Sequence, residues 1–172
     1  MSTLTDSLDL ARLQLQSGEG RRLELTVTIP PFKFGDDTYP VSPVPVPVVL
    51  ELSRMAHNGT AMRLRFDATL NGPCMRCLGD AAPVEHIDAR EVDQPGGGEE
   101  LESPYVKDEV LDVQRWAIDS LTLEMPPQVL CTPDCLGLCP DCGANLNTAG
   151  PEHTHEKAPD PRWAKLSDIS FE

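Results

Sequence analysis

Six cysteines and two histidines stand in four close pairs: Cys74/Cys77, Cys131/Cys135, Cys139/Cys142 and His153/His155. Eight soft donors in four pairs suit two tetrahedral Zn²⁺ sites, because each ion takes four thiolate or imidazole ligands. A two-residue spacer lets both sulfurs of a pair face one ion while N–H groups of the intervening turn point at the thiolates. In Cys139-Pro-Asp-Cys142-Gly143 the proline opens the turn and the glycine accepts the left-handed backbone after the second ligand. That is the form of a zinc knuckle.

Two partitions use these ligands. In one, Cys139 and Cys142 close a site with His153 and His155, while Cys74, Cys77, Cys131 and Cys135 form a second that staples the front of the chain to its tail. In the other, Cys131 or Cys135 joins the knuckle and the Cys74 pair stays without metal. The expected cofactor is zinc, one or two ions. In both partitions protein donors fill every position and none is left for water, which marks a structural rather than a catalytic ion.

Other chemistries meet obstacles. A thioredoxin-like role for Cys74-Met-Arg-Cys77 needs the pair at a helix N-terminus, and a strand pattern follows it here. Cys135-x-x-x-Cys139-x-x-Cys142 has the spacing that binds a [4Fe–4S] cluster in radical S-adenosylmethionine enzymes. Those enzymes carry it early in an α/β barrel of roughly two hundred residues or more, whereas here it lies late, behind alternating strands. Inert buried thiols are the bland alternative. No Gly-x-Ser-x-Gly, Gly-x-x-x-x-Gly-Lys or His-Glu-x-x-His occurs, and Gly96-Gly97-Gly98 lacks a strand–helix context, so the chain does not read as an enzyme. His57 reads as a turn residue and His86 as strand decoration.

The elements that must position the ligands are mostly strands. Leu23, Leu25, Val27 and Ile29 share one face of an extended segment, as do Val48, Leu50 and Leu52, and Met62, Leu64, Phe66, Ala68 and Leu70. A period of two with one apolar face marks antiparallel strands. Phe34-Gly35-Asp36-Asp37 and His57-Asn58-Gly59 read as turns, the second closing a hairpin. Pro40 to Pro47, with four prolines, reads as an extended approach that cannot sit inside a sheet. A weaker strand is expected over 82–92, and Gln94 to Ser103 as a mobile acidic loop. One helix is expected from about Asp108 to Glu124, with Asp108 as N-cap and Pro126-Pro127 preventing continuation. A last short turn is expected from Asp160, with Pro161 at its first position and Trp163 and Leu166 on one face. The expected fold is α+β: a mainly antiparallel β-sheet or partly open barrel covered by one helix, with a C-terminal zinc-knuckle tail. Residues 1–125 form the β-rich domain, and 126–172 a Cys/His-rich segment packed on it or tethered to it.

Charge narrows the partners. The 172 residues carry 28 acidic against 14 basic side chains, a formal net charge of −14. Gripping a nucleic-acid backbone needs clustered Lys and Arg, so this balance favours a basic protein partner. No run of about 18 apolar residues suggests a membrane span, and the opening residues lack signal-peptide character. The chain reads as cytoplasmic, where thiols stay reduced and close pairs bind metal.

The chain carries, in order, Cys74-Met-Arg-Cys77-Leu78, Leu123-Glu-Met-Pro126, Cys131-x-x-x-Cys135-x-Gly137-Leu-Cys139-Pro-x-Cys142-Gly-x-Asn145-Leu-Asn147, and Asp160-Pro-Arg-Trp163-Ala-x-Leu166. Together these motifs resemble the YceD family, which is linked to accumulation of the large (23S) ribosomal RNA. Relatives with the long cysteine cluster often carry Cys-x-Cys where this chain has His153-Thr-His155, a substitution that preserves tetrahedral zinc ligation. The resemblance implies a role in synthesis, processing or stability of large-subunit ribosomal RNA and no established catalytic mechanism. With the charge, it leads to the expectation of a basic ribosomal protein or assembly factor as partner, with Glu91, Asp93, Glu99, Glu100 and Glu102 as candidate contacts. The alternative is direct binding of ribosomal RNA by the zinc knuckle. That mode stacks bases on aromatic side chains with basic support, yet Cys131 to Asn147 contains no aromatic, Lys or Arg. Arg63, Arg65 and Arg76 remain as a possible basic patch.

Overall fold

Alternation of apolar and charged residues builds the main sheet. The computed structural model describes residues 3–98, 100–150 and 152–155 of the chain; the turn expected from Asp160, and Glu99, lie outside them. In chain order the described strands are β1 (Thr3–Leu4), β2 (Ser7–Asp9), β3 (Gly20–Val27), β4 (Phe32–Phe34), β5 (Asp37–Tyr39), β6 (Val41–Ser42) and β7 (Val46–Arg54). There follow β8 (Thr60–Leu70), β9 (Gly72–Pro73), β10 (Asp80–Ala81), β11 (Val84–Asp93), β12 (Val106–Lys107), β13 (Val110–Asp112) and one α-helix, α1 (Val113–Glu124).

The main sheet runs β1-β3-β7-β8-β11, antiparallel except for the parallel pair β1–β3, and it is open rather than a closed barrel. Register aligns the apolar residues into rows: Leu23 opposes Leu50, Leu50 opposes Leu64, and Leu64 opposes Ala89. Leu50, Leu64 and the α1 residues Val113, Trp116, Ala117 and Leu121 belong to one buried core, against which half-buried Leu23 and Ala89 pack. Cross-strand neighbours of this kind are what stabilise a sheet face. The opposite face carries charges in the same register, with Glu51 opposite Arg63 and Asp88 opposite Arg65.

Two turns form as the sequence suggests. β4 and β5 pair across Gly35-Asp36, and the β7–β8 hairpin turns at His57 and Asn58, whose φ angles of 56° and 60° are left-handed. The proline tract differs from expectation. β6 and β7 lie along the same edge of β8, separated by Pro43-Val44-Pro45, and Pro47 is a strand residue opposite Thr26. It is tolerated because the β7–β8 ladder begins only at Val49, so Pro47 has no partner on that side to donate to.

The helix begins five residues later than expected. Asp108 and Glu109 have φ of 51° and 60° and form the turn between β12 and β13, so Asp108 is no N-cap. Val110 and Leu111 pair with Asp9 and Leu8 of β2 instead of starting the helix. Asp112 is the cap, its carboxylate accepting the N–H of Arg115 at 2.8 Å. The acidic loop is tied at its base: Gln94 N–H donates to the Leu101 carbonyl at 2.7 Å, and Ser103 N–H to the buried Asp93 carboxylate at 3.1 Å. Asp93 is therefore a structural acceptor rather than a contact for a partner. Among the described residues no helix is long and apolar enough to cross a membrane.

Candidate metal centres

Strand β8 ends beside the first cysteine pair. The short hairpin of β9 and β10 holds Cys74 and Cys77 in its connecting turn, with Gly72 opposite Ala81 and Pro73 opposite Asp80. Gly72 is required here, because a Cβ would fall on the ring of Tyr39. The Tyr39 hydroxyl donates to the Pro73 carbonyl at 2.9 Å, fixing the residue before Cys74.

After α1 the chain returns to this turn. Val129 is buried, its carbonyl accepts the N–H of Met75 at 2.9 Å, and its own N–H points at the Met75 sulfur at 3.3 Å. This brings Cys131 and Cys135 onto the first pair. The sulfurs of Cys74 and Cys135 are 3.7 Å apart, those of Cys77 and Cys131 3.6 Å. Metal–sulfur bonds of about 2.3 Å in a tetrahedral site set sulfurs about 3.8 Å apart, so the spacing fits one four-coordinate ion.

The second cluster joins Cys139 and Cys142 to His153 and His155. The Cys142 sulfur is 3.5 Å from Nε2 of His153, which is 3.1 Å from Nε2 of His155. Imidazole nitrogens on one tetrahedral ion stand about 3.3 Å apart. Within each cluster all four donor atoms lie within 4.8 Å of one another, and all six thiols are free. Both clusters could hold a metal ion. This matches the first partition, with Cys131 and Cys135 beside Cys74 and Cys77 rather than joining the knuckle.

The two CxxC turns are the same structure. Leu78 N–H donates to the Cys74 carbonyl at 2.9 Å, as Gly143 N–H donates to that of Cys139 at 2.8 Å. Cys74 N–H donates to the Gly79 carbonyl at 2.6 Å, as Cys139 N–H does to Ala144 at 2.8 Å. The residue after each second cysteine is left-handed, with φ 59° at Leu78 and 72° at Gly143.

The electrostatics favour a cation. Burial acts to raise the Cys74 thiol, but N–H groups of Cys77, Arg76 and Cys131 outweigh it and bring its pKa down to about 6. Hydrogen bonding to His153, then the N–H groups of Cys142 and Asp141, brings Cys139 down to about 6. The Asn147 amide lowers Cys135, whereas hydrogen bonding to Cys135, with burial, pushes Cys131 up to about 12. Some thiols are primed as thiolates and their neighbours resist a further negative charge. A divalent ion relieves that conflict, because metal binding deprotonates its thiols.

Two supporting residues escaped sequence reasoning. Asn147 donates its amide to the Cys135 sulfur at 3.3 Å and accepts the Leu136 N–H at 2.8 Å, so the loop between Cys142 and His153 also braces the first cluster. Arg76 donates to the Cys135 carbonyl and to Gln128, each at 3.1 Å, tying the two halves together. Their signal was only their place inside the cysteine motifs. Arg63 and Arg65 form no free basic patch. Arg63 makes a two-pronged bond to Asp88 at 2.7 and 2.6 Å, and Arg65 binds Glu51 at 2.6 Å. His57 stays in its turn, and His86 stands exposed on β11, 2.7 Å from Asp67.

Several known proteins are similar to this chain in sequence. An uncharacterized protein of Mycobacterium tuberculosis strain H37Rv, Rv2926c, is 39% identical over 104 residues, which are 57% of this chain and 49% of the relative. An uncharacterized protein of Mycobacterium leprae, ML1660, is 40% identical over 65 residues, covering 38% of this chain and 29% of its own length. A maize protein named large ribosomal RNA subunit accumulation protein YCED homolog 1, chloroplastic, is 44% identical over 41 residues, 24% of this chain and 14% of its own. The chain spans about half the length of the Mycobacterium tuberculosis relative, at 49%. No solved structure matches it. The family described as "Large ribosomal RNA subunit accumulation protein YceD" matches residues 62–170, a stretch that contains both clusters and the helix leading into them. The chain therefore belongs to the YceD family.

Proposed function

We propose that this chain supports accumulation of large-subunit ribosomal RNA in the cytoplasm without catalysis, by binding a basic ribosomal protein or assembly factor and shielding it until assembly. Two structural zinc ions hold its shape, one on Cys74, Cys77, Cys131 and Cys135, the other on Cys139, Cys142, His153 and His155. Residues 126–172 then form a tail stapled by the first ion to the β-rich part of residues 1–125.

The observation that carries the partner reading is the charged face of the sheet. Two of its arginines are spent within the chain, Arg63 on Asp88 and Arg65 on Glu51, leaving exposed Arg90 as a cation with no ion pair among the described residues, while the whole carries −14. A surface that recognises RNA phosphates needs arginines it has not already neutralised. Of the acidic loop, Glu100 and Glu102 remain exposed, and both would face a cationic partner.

The test is affinity purification of the tagged full chain from its host, with and without ribonuclease, in moderate salt. Recovery of basic large-subunit proteins that survives ribonuclease supports the reading. Recovery of ribosomal RNA with no ribosomal protein would sink it in favour of direct RNA binding. Depletion of the chain is expected to lower large-subunit ribosomal RNA relative to the small.

A further inference from the structure

The equivalence of the two CxxC turns exposes one residue that the fold does not explain. After Cys142 the left-handed position is filled by Gly143, which adopts it without steric penalty. After Cys77 the same position, with the same hydrogen bonds, is filled by Leu78 at φ 59°. A bulky residue with positive φ is an outlier, and strain of this kind persists where it serves a function. Leu78 is not held there by packing, since it is 67% exposed. Leu136, the residue directly after Cys135 of the same cluster, is 66% exposed. Gly137 lies against the backbone of Arg76, where a Cβ would stand 3.2 Å from its carbonyl oxygen, so the two leucine-bearing segments are in contact.

In the two segments that bear this apolar pair, two exposed carboxylates stand against one cation. Asp80 and Asp134 are exposed, and neither has an ion-pair partner among the described residues. Arg76, the one neighbouring cation within either segment, is turned onto Gln128 and the Cys135 carbonyl. Four thiolates around a divalent ion would add two further negative charges.

We propose that Leu78 and Leu136 form a docking surface beside the four-cysteine centre for a protein segment presenting an apolar side chain between Lys or Arg residues. This rests on the basic-partner reading above and gives it an address. The leucines supply the buried centre of the contact, and the carboxylates and the metal centre its acidic rim. Interfaces divide in this way between a small apolar centre and a charged rim. Leu78 is retained at a strained position because its side chain is needed outside the fold.

The decisive variant is Leu78→Gly, which removes the side chain and also relieves the backbone. The full-length, zinc-loaded chain is titrated by fluorescence polarisation with peptides of about 15 residues carrying a central Leu, Ile, Phe or Met flanked by Lys and Arg. Matched peptides have a central Ala or flanking Asp and Glu. Wild type is expected to bind the first set alone, more weakly as salt rises. Leu78→Gly and Leu136→Ser are expected to lower affinity at least tenfold, and Val84→Ser on the outer face of β11 to leave it unchanged. Leu78→Gly is expected to keep both metal ions and to melt no lower than wild type. Equal binding by Leu78→Gly, failure of wild type to prefer the basic apolar peptides, or loss of metal or melting temperature in Leu78→Gly would overturn the proposal. In cells, normal large-subunit ribosomal RNA with Leu78→Gly, together with a deficit on removal of the whole chain, would overturn this surface and leave the wider reading standing.

Discussion

The ring of Tyr39 occupies the space that a side chain on Gly72 would need, and the Tyr39 hydroxyl holds the carbonyl of Pro73 at 2.9 Å. One buried ring thus sets the approach of β9 to Cys74. Gly72→Ala is expected to cost about 1–3 kcal/mol through overpacking, read as a lower urea midpoint, and to speed metal loss from the four-cysteine centre. Tyr39→Phe removes one hydrogen bond to a part-buried carbonyl and is expected to cost about 1 kcal/mol. A Gly72→Ala protein as stable as wild type would show that the ring is free to move aside.

The two centres differ in exposure. Cys74 and Cys135 are 0% and 2% exposed, whereas Cys142 and His155 lie at the surface. Native mass spectrometry of protein purified without added metal is expected to show two ions. A chelator is expected to remove them in two phases, with the fast phase missing in Cys142→Ser. Cys135→Ser is expected to lose one ion and far more thermal stability than Cys142→Ser, because its centre ties the tail to the sheet. A single release phase in wild type would contradict the distinction.

Asn147 acts on a centre it does not ligate. Its amide donates to the Cys135 sulfur at 3.3 Å from a loop that belongs to the second cluster. Removing such a supporting hydrogen bond typically weakens metal binding about 10–100-fold. Asn147→Ala is expected to raise metal release from the four-cysteine centre by that factor, in competition with a zinc-binding dye. Unchanged release from that centre would reduce Asn147 to a loop residue.

Asp88 links stability to pH. Hydrogen bonding to Arg63, and then its charge, holds the Asp88 carboxyl below the usual range. The folded chain therefore binds this proton less readily than the unfolded chain. Its contribution is complete above the unfolded value of about 3.9 and fades as pH falls through the lower folded value. The difference in melting temperature between wild type and Asp88→Asn is expected to be flat from neutral pH down to the carboxylate range and to close below it. A difference that persists at the acid end would assign the effect to packing instead.

The legible parts of this fold are those fixed by local pattern. Period-two alternation placed Leu25, Leu50 and Leu64 on the buried face because the pleat leaves no other choice. The helix start was not legible, since Val110 and Leu111 satisfy a helical stripe as well as a strand. Their pairing with β2, about a hundred residues earlier, decides the matter. Asp93 read as a surface acid because burial under a loop depends on how the chain returns to Ser103. For the candidate metal ligands, residue type and spacing limited the groupings to two partitions. Bringing Cys131 and Cys135 beside Cys74 and Cys77 required Val129 to dock on Met75, a contact that no local motif encodes.

The four-thiol cluster also carries a consequence for how the chain is made. Cys77 and Cys131 touch across 54 positions, so the cluster cannot close until residue 135 has been synthesised. The sheet from β3 to β11 is complete in sequence by Asp93, and its Cys74–Cys77 turn must wait about forty further residues for the other two thiols. The second cluster is built from residues 139 to 155 alone and closes within one short stretch. Nascent chains stalled before and after residue 135 should therefore differ in protease resistance throughout the sheet, with metal capture the event that separates the two.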